Sequence, residues 1–463
     1  MWYLITAITV ILVAVLLLGA CSLYNHAYPD SGSPQPAYDL RIVQLDDFGS
    51  FWDPATAQDT LASVEAQSLA TSSSTYVVVF THGWHHNAAP HDPNLEQFKT
   101  WLGNLSGEFS QPQRRAARQE LTGSPNFKLI GIYVGWRGRA LPGLLDYGTM
   151  WWRKTAAERV GDGDFSEFLE RLQRIYLRAN AYQRFLDACT HNRNVPFTGL
   201  FTVGHSFGGQ ALLKAVGRPI ESDLAMRAPH LTHAVQSVVR PSNPTLEQIP
   251  IDSFGDLNIL VNPAVEAYQF ARIDGLYRQL AYPVDQTPQL VVFSADNDRP
   301  RQFFFPIARV LTSPFRPMFR NSYQGALWGK ALGEFTEQQT HELRLAKQDP
   351  DSLSDDDFKP ANRQKVALYD FTSPTVFSGV RMTRQPNTAI IDNSPVAVIY
   401  THDKIIDGHN GVFDPKFLAF LPQYIAFIEG KRIVLRYQRF AALRSNGMTD
   451  EPPTPRTPDC DGT

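Results

Sequence analysis

The sequence predicts an α/β fold: a doubly wound, mostly parallel sheet with helices on both faces and two cap-like insertions. Three observations carry this expectation. Short runs of β-branched and aromatic residues recur between longer stretches of helical spacing. Those runs are apolar throughout rather than alternating, as in strands covered on both faces. The chain has 463 residues, 43% of them hydrophobic and 12% aromatic, enough to bury a large core.

Along the chain, the sheet begins at Asp39-Leu40-Arg41-Ile42-Val43-Gln44-Leu45, and further strands are expected near residues 76–80, 129–135, 198–203, 257–261, 289–294 and 396–401. Two stretches interrupt the alternation. Residues 138–180 carry Trp151, Trp152 and helical spacing in Phe165, Phe168, Leu169, Leu172, Ile175 and Tyr176. Residues 301–395 contain Phe303-Phe304-Phe305-Pro306, a polar stretch near Asp349 to Asp357, and then mixed strand-like segments. Insertions of that length are lids or binding surfaces. The body therefore spans 39–444. A Pro/Ser/Gly-rich flexible linker over 22–38 precedes it, and a proline-rich disordered tail over 445–463 follows.

The most chemically informative run is Phe201-Thr202-Val203-Gly204-His205-Ser206-Phe207-Gly208-Gly209, with helix-forming Gln210-Ala211-Leu212-Leu213 behind it. This is the sequence form of a nucleophile elbow. Such a strand-to-helix turn strains the serine backbone and lifts the hydroxyl to the top of a sheet, where the first helical amides point at what it attacks. Gly204 and Gly208 are required because a Cβ at either would collide with a neighbouring strand or helix. Upstream, Tyr76-Val77-Val78-Val79-Phe80 breaks into Thr81-His82-Gly83-Trp84-His85-His86-Asn87, where a second oxyanion donor would sit. Downstream, Gln289-Leu290-Val291-Val292-Phe293-Ser294 leads into Ala295-Asp296-Asn297-Asp298. Later, Val396-Ala397-Val398-Ile399-Tyr400-Thr401 leads into a loop running from His402 to Gly411 through His409.

On the elbow, the His-Gly-Trp loop and the order serine, acid, histidine, the chain resembles the α/β-hydrolase superfamily over residues 40–430. Within it, the chain looks like bacterial esterase- or lipase-like proteins with a Phe-Thr-His-Gly-Trp-x-His-Asn loop. The resemblance implies Ser206 as nucleophile, His409 as base and Asp298 as acid, with the amides of Trp84 and Phe207 as the oxyanion hole. Asp296 and Glu266 stand as alternative acids and His402 as an alternative base. Asp298 is preferred because it lies three residues past Ala295, which lets the loop curl back over the sheet edge, whereas Asp296 is placed to brace the turn. His409 is preferred because its glycine-rich turn precedes a helical pattern with Asp414 as N-cap and Pro415 at the first position. Neither a cofactor nor a metal is implied. His82 reads as a strand-end histidine bonded to backbone, and His85, His86 and His91, whose spacing matches no metal pattern, as solvated loop residues. Trp136 and Arg137 read as packing residues at a strand end.

Residues 2–20 carry no charge and close on Leu18-Gly19-Ala20-Cys21, which resembles a bacterial lipobox: the segment through Ala20 would be removed and Cys21 lipidated. The run is also long enough for a retained transmembrane anchor. Either reading places the body outside the cytoplasm and tethered to a membrane. Ser22 after the cysteine resembles the outer-membrane sorting pattern, so the expected location is an outer-membrane lipoprotein facing the periplasm. Cys189 and Cys460 lie far apart in sequence, so no disulfide framework is expected. A net charge of -3 without basic clusters gives nucleic acid no footing.

The function expected is that of a membrane-tethered serine hydrolase cleaving carboxylic esters of small-molecule or lipid-like substrates. The alternative, from another class, is a catalytically silent scaffold acting as a binding or envelope-organising module.

Overall fold

A computed structural model describes residues 23–29, 32, 34–190, 196–229, 250–284, 286–298, 322–346, 375–385 and 391–445. The segment ending at Cys21 and the tail beyond 445 lie outside the described residues. Among the described residues no helix is long and apolar enough to cross a membrane.

The strands are β1 (Asp39–Gln44), β2 (Ser74–Thr81), β3 (Phe127–Gly135), β4 (Thr198–His205), β5 (Leu257–Val261), β6 (Leu290–Ala295), β7 (His341–Leu345), β8 (Thr375–Phe377), β9 (Val380–Arg384) and β10 (Val396–Thr401). They form one ten-stranded sheet in the order β1-β3-β2-β4-β5-β6-β10-β7-β9-β8. The pairing is parallel from β1 through β7, and a short antiparallel hairpin of β8 and β9 closes one edge. This is an α/β architecture.

Side-chain alternation on the strands explains why both faces are covered. Tyr76, Val78 and Phe80 of β2 enter one core, with Leu95, Phe98 and Trp101 of α2 (Pro93–Phe109) and Phe417, Phe420 and Tyr424 of α9 (Pro415–Ser445). Val77 and Val79 point the other way, into a second core with residues of α1 (Pro54–Ser68), α4 (Met150–Asp162), α5 (Asp164–Thr190), α6 (Phe207–Arg227) and α7 (Ala267–Tyr277). Successive residues of a strand alternate between faces, so an unbroken apolar run can only be a strand buried on both. Each such side chain contributes about 1.5–3 kcal/mol on full burial. Two shorter helices complete the described set, α3 (Pro112–Thr122) and α8 (Ser322–Gly329).

β2 is where the strand order reverses. The chain leaves it through α2 and α3 on one face to reach β3, then returns through α4 and α5 on the opposite face to reach β4 on the far side of β2. The connections diverge at the carboxyl ends of β2 and β4, the place where α/β sheets characteristically bind ligands in a crevice.

Three expectations differ from what is observed. Most of residues 138–180 do not form a cap: α4 and α5 pack on the sheet and constitute the β3-to-β4 crossover, and only the 3₁₀ turn Gly143–Thr149 stays with the loops at that carboxyl end. The described parts of 301–395 include β7, β8 and β9, which widen the sheet beyond β10. The linker is not free over residues 23–29. Tyr28 exchanges two 2.8 Å hydrogen bonds with the side chain of Gln44, and its hydroxyl accepts from Asn87 at 2.9 Å. The Pro/Ser/Gly composition suggests a spacer, but the tyrosine supplies a ring and a hydroxyl that dock.

Candidate active site

β4 ends at His205 and α6 begins at Phe207, which leaves Ser206 alone at the turn with φ 54° and ψ -121°. A non-glycine residue there costs about 1–3 kcal/mol, so its surroundings must hold it. The Ser206 amide donates to Val261 O at 3.0 Å, and its carbonyl accepts from Ala264 N at 3.0 Å. The flanking glycines are steric necessities. A Cβ on Gly204 would lie 2.8 Å from Gly208 O, and one on Gly208 only 2.3 Å from Thr81 O. The first turn of α6 thus rests directly on the end of β2.

The His-Gly-Trp loop runs alongside. A Cβ on Gly83 would sit 2.7 Å from Ser206 Cβ, so the backbone entering Trp84 passes beside the serine. The rings of Trp84 and Phe207 lie 6.1 Å apart. Phe207 is the first residue of α6, so its amide has no carbonyl partner within the helix.

The Ser206 hydroxyl lies 2.6 Å from His409 Nε2, and His409 Nδ1 lies 2.8 Å from Asp298 Oδ2. Ser206 and Asp298 are buried, and the imidazole is nearly so. The structure brings these three together from the ends of β4, β6 and β10. The other weighed residues go elsewhere. Asp296 and His402, each the first residue past its strand, pair with each other at 3.2 Å, and burial pushes the Asp296 carboxyl up even with that ring beside it. Glu266 turns to Lys154 on α4 at 3.0 Å.

Sequence reasoning missed what holds the two loops in register. Asn262, in a left-handed conformation with φ 45°, donates to the carbonyls of Gly408 and His409 at 3.0 Å each and accepts from the Ala295 amide at 2.8 Å. Asn297 accepts from Gly408 N and donates to the Asp407 carboxylate, each at 2.6 Å. His205 donates from Nε2 to His409 O at 2.8 Å, and burial holds that ring down to about 3. The only signal available was Asn262 directly after a strand and before a proline, a place where asparagine tolerates positive φ. Asp414 holds the expected N-cap place before Pro415, its carbonyl accepting from Leu418 N at 2.7 Å, but its carboxylate turns back to accept from Asp407 N at 2.6 Å, which braces the same loop.

Of the histidines around this loop, His82 bonds to backbone and His91 is exposed, as expected, whereas His85 and His86 pair with carboxylates rather than standing solvated. His82 donates from Nδ1 to Gly83 O at 2.9 Å and accepts at Nε2 from Trp136 N at 3.1 Å, and burial lowers it to about 4. His85 lies 2.6 Å from Asp146, and His86 lies 3.1 Å from Asp92. Burial alone would raise Asp146, but the His85 contact and the amides of Leu141 and Ala140 bring its carboxyl below the ordinary value. Arg137 is fixed by Asp47 at 3.0 Å, and Trp136 stacks on His82 with centroids 5.6 Å apart. Among the described residues no group of three or more His, Cys, Asp or Glu could hold a metal ion.

In comparisons with protein-family models, with curated proteins and with solved structures, nothing matches the chain.

Proposed function

We propose that the protein is a serine carboxyl-ester hydrolase of the α/β-hydrolase type, held to a membrane of the cell envelope through its N-terminus. One observation carries the reading: the unbroken relay from Ser206 Oγ through His409 to the buried Asp298, with steps of 2.6 and 2.8 Å, at a strained strand-to-helix turn.

The chemistry follows from those atoms. A serine hydroxyl is a weak nucleophile at neutral pH, so His409 Nε2 takes its proton as Oγ attacks the ester carbonyl. Asp298 keeps the Nδ1–H tautomer and stabilises the imidazolium, while the oxyanion faces the amides of Phe207 and Trp84, each worth about 3–4 kcal/mol in such sites. His409 then gives the proton to the leaving alcohol as the ester C–O bond breaks. Water, deprotonated by the same ring, cleaves the acyl-enzyme and restores Ser206.

A pre-steady-state experiment with a p-nitrophenyl ester tests this. One equivalent of p-nitrophenol should appear in a burst from the wild type, and Ser206→Ala should lose about four orders of magnitude in turnover. Near-normal turnover in that variant would end the assignment, and a wild type with neither burst nor turnover would favour a silent scaffold.

A further inference from the structure

Of the twelve large hydrophobic side chains that stand exposed among the described residues, six cluster at one end of the sheet. Phe48 (75% exposed) and Trp52 follow β1; Leu145 (69%), Tyr147 (57%) and Trp152 (63%) follow β3; Leu23 opens the described chain. β1 pairs with β3, β3 with β2 and β2 with β4, all in parallel, so these loops lie at the same carboxyl end as Ser206. They are bolted together. Asp47 accepts from Arg137 at 3.0 Å and from Arg153 at 2.6 Å, and a second Arg137 nitrogen donates to Leu23 O at 2.6 Å. Tyr147 packs edge-on against Trp84, centroids 5.5 Å apart, which joins the patch to the candidate oxyanion loop.

What precedes Leu23 says what covers this end. Cys21 is two residues away, at most about 7 Å of extended chain, and behind it lies the uncharged run 2–20. A lipid on Cys21, or a retained anchor, would therefore enter the bilayer within reach of Arg137. Six exposed apolar groups rich in tryptophan and tyrosine suit the interface, where an apolar ring meets a wet edge.

We propose that this end of the sheet rests on the bilayer, with Phe48, Leu145 and Trp152 in its interfacial layer. The site of Ser206 then opens toward the lipid, and the substrate is an amphiphilic ester carried in the membrane rather than one drawn from solution. The substrate part rests on the hydrolase reading above; the surface does not.

The test uses the full chain in phosphatidylcholine vesicles, as wild type and as the triple variant Phe48→Ser, Leu145→Ser, Trp152→Ser. Hydrolysis of water-soluble p-nitrophenyl butyrate should stay within about twofold, while hydrolysis of a long-chain ester dissolved in the same vesicles should fall about tenfold or more. Equal losses on both substrates, or none on either, overturn the proposal. A second readout needs no catalysis. In a Trp2→Phe background, brominated phosphatidylcholine should quench tryptophan fluorescence, and Trp152→Phe should remove part of that quenching. Quenching that Trp152→Phe leaves unchanged overturns the surface, whether a second copy or the preceding segment covers it. Quenching at Trp152 without ester turnover supports the surface and sinks the hydrolase reading alone.

Discussion

The imidazole of His205 donates from Nε2 to the carbonyl oxygen of His409, 2.8 Å away, so the residue before Ser206 holds the backbone of the ring that bonds Ser206. Asn262 donates to the same carbonyl at 3.0 Å. Two donors from two strand ends converge on one oxygen, and the histidine loop cannot drift without leaving both buried groups unmet, at about 1–3 kcal/mol each. Misplacement of a reacting group by about 1 Å can cost a hundredfold in rate. The fixed loop is therefore as much a part of the proposed chemistry as the ring it carries.

The two acid–histidine pairs should separate cleanly. Asp298→Asn should lower kcat by about four orders of magnitude, because the amide would favour the wrong imidazole tautomer. Asp296→Asn and His402→Gln, which touch each other and not Ser206, should stay within about threefold. Steady-state kinetics on a short ester would check this, and equal losses from Asp296→Asn would exchange the roles.

Asn262→Gly keeps the left-handed backbone and deletes only the amide. It should reduce kcat about tenfold to a hundredfold with KM little changed, because the loop loses its bonds at Gly408, His409 and Ala295 while the ester-binding groups remain. A rise in KM alone would show that Asn262 serves binding rather than alignment.

Stability should fall on mild acidification. His82 and His205 are buried neutral, lowered from 6.5 to about 4 and about 3. Below 6.5 the unfolded chain takes up protons that the folded chain refuses, so unfolding is favoured as pH drops from 6.5 toward 4. Each ring contributes a slope of about 1.4 kcal/mol per pH unit. Urea midpoints measured from pH 7 to 4.5 should decline accordingly, and a flat profile would contradict the buried neutral rings.

Gly208→Ala should cost about 3 kcal/mol or more, because its Cβ would meet two backbone oxygens, Thr81 O at 2.3 Å and His82 O at 2.4 Å, neither of which can turn aside. Thermal unfolding would read the loss. A near-wild-type midpoint would mean that α6 is not seated on β2 as described.

How much of this was legible in the sequence depended on the range of the forces involved. The buried parallel strands stood out because an unbroken β-branched run has few other structures open to it, and the elbow because its glycines answer local clashes. β7 did not, because His341-Glu342-Leu343-Arg344-Leu345 is short and half polar; β8 and β9 showed only as strand-like segments, whose place at the edge of the sheet is set by their neighbours. The crossover helix α5 read as cap material because its amphipathic spacing says only that it covers something apolar, not that the surface is the sheet. The pairing of His85 with Asp146 spans 61 positions, and the convergence of His205 and Asn262 on His409 spans more than 140. Loop packing sets such contacts, and no local pattern encodes them.

The most direct measurement is intact-protein mass spectrometry after treatment with a fluorophosphonate, followed by peptide mapping. One adduct should form on the wild type, on the peptide containing Ser206, and none on Ser206→Ala. An unlabelled wild type, or an adduct that persists in the variant, would contradict the assignment of Ser206 as a nucleophile activated by His409.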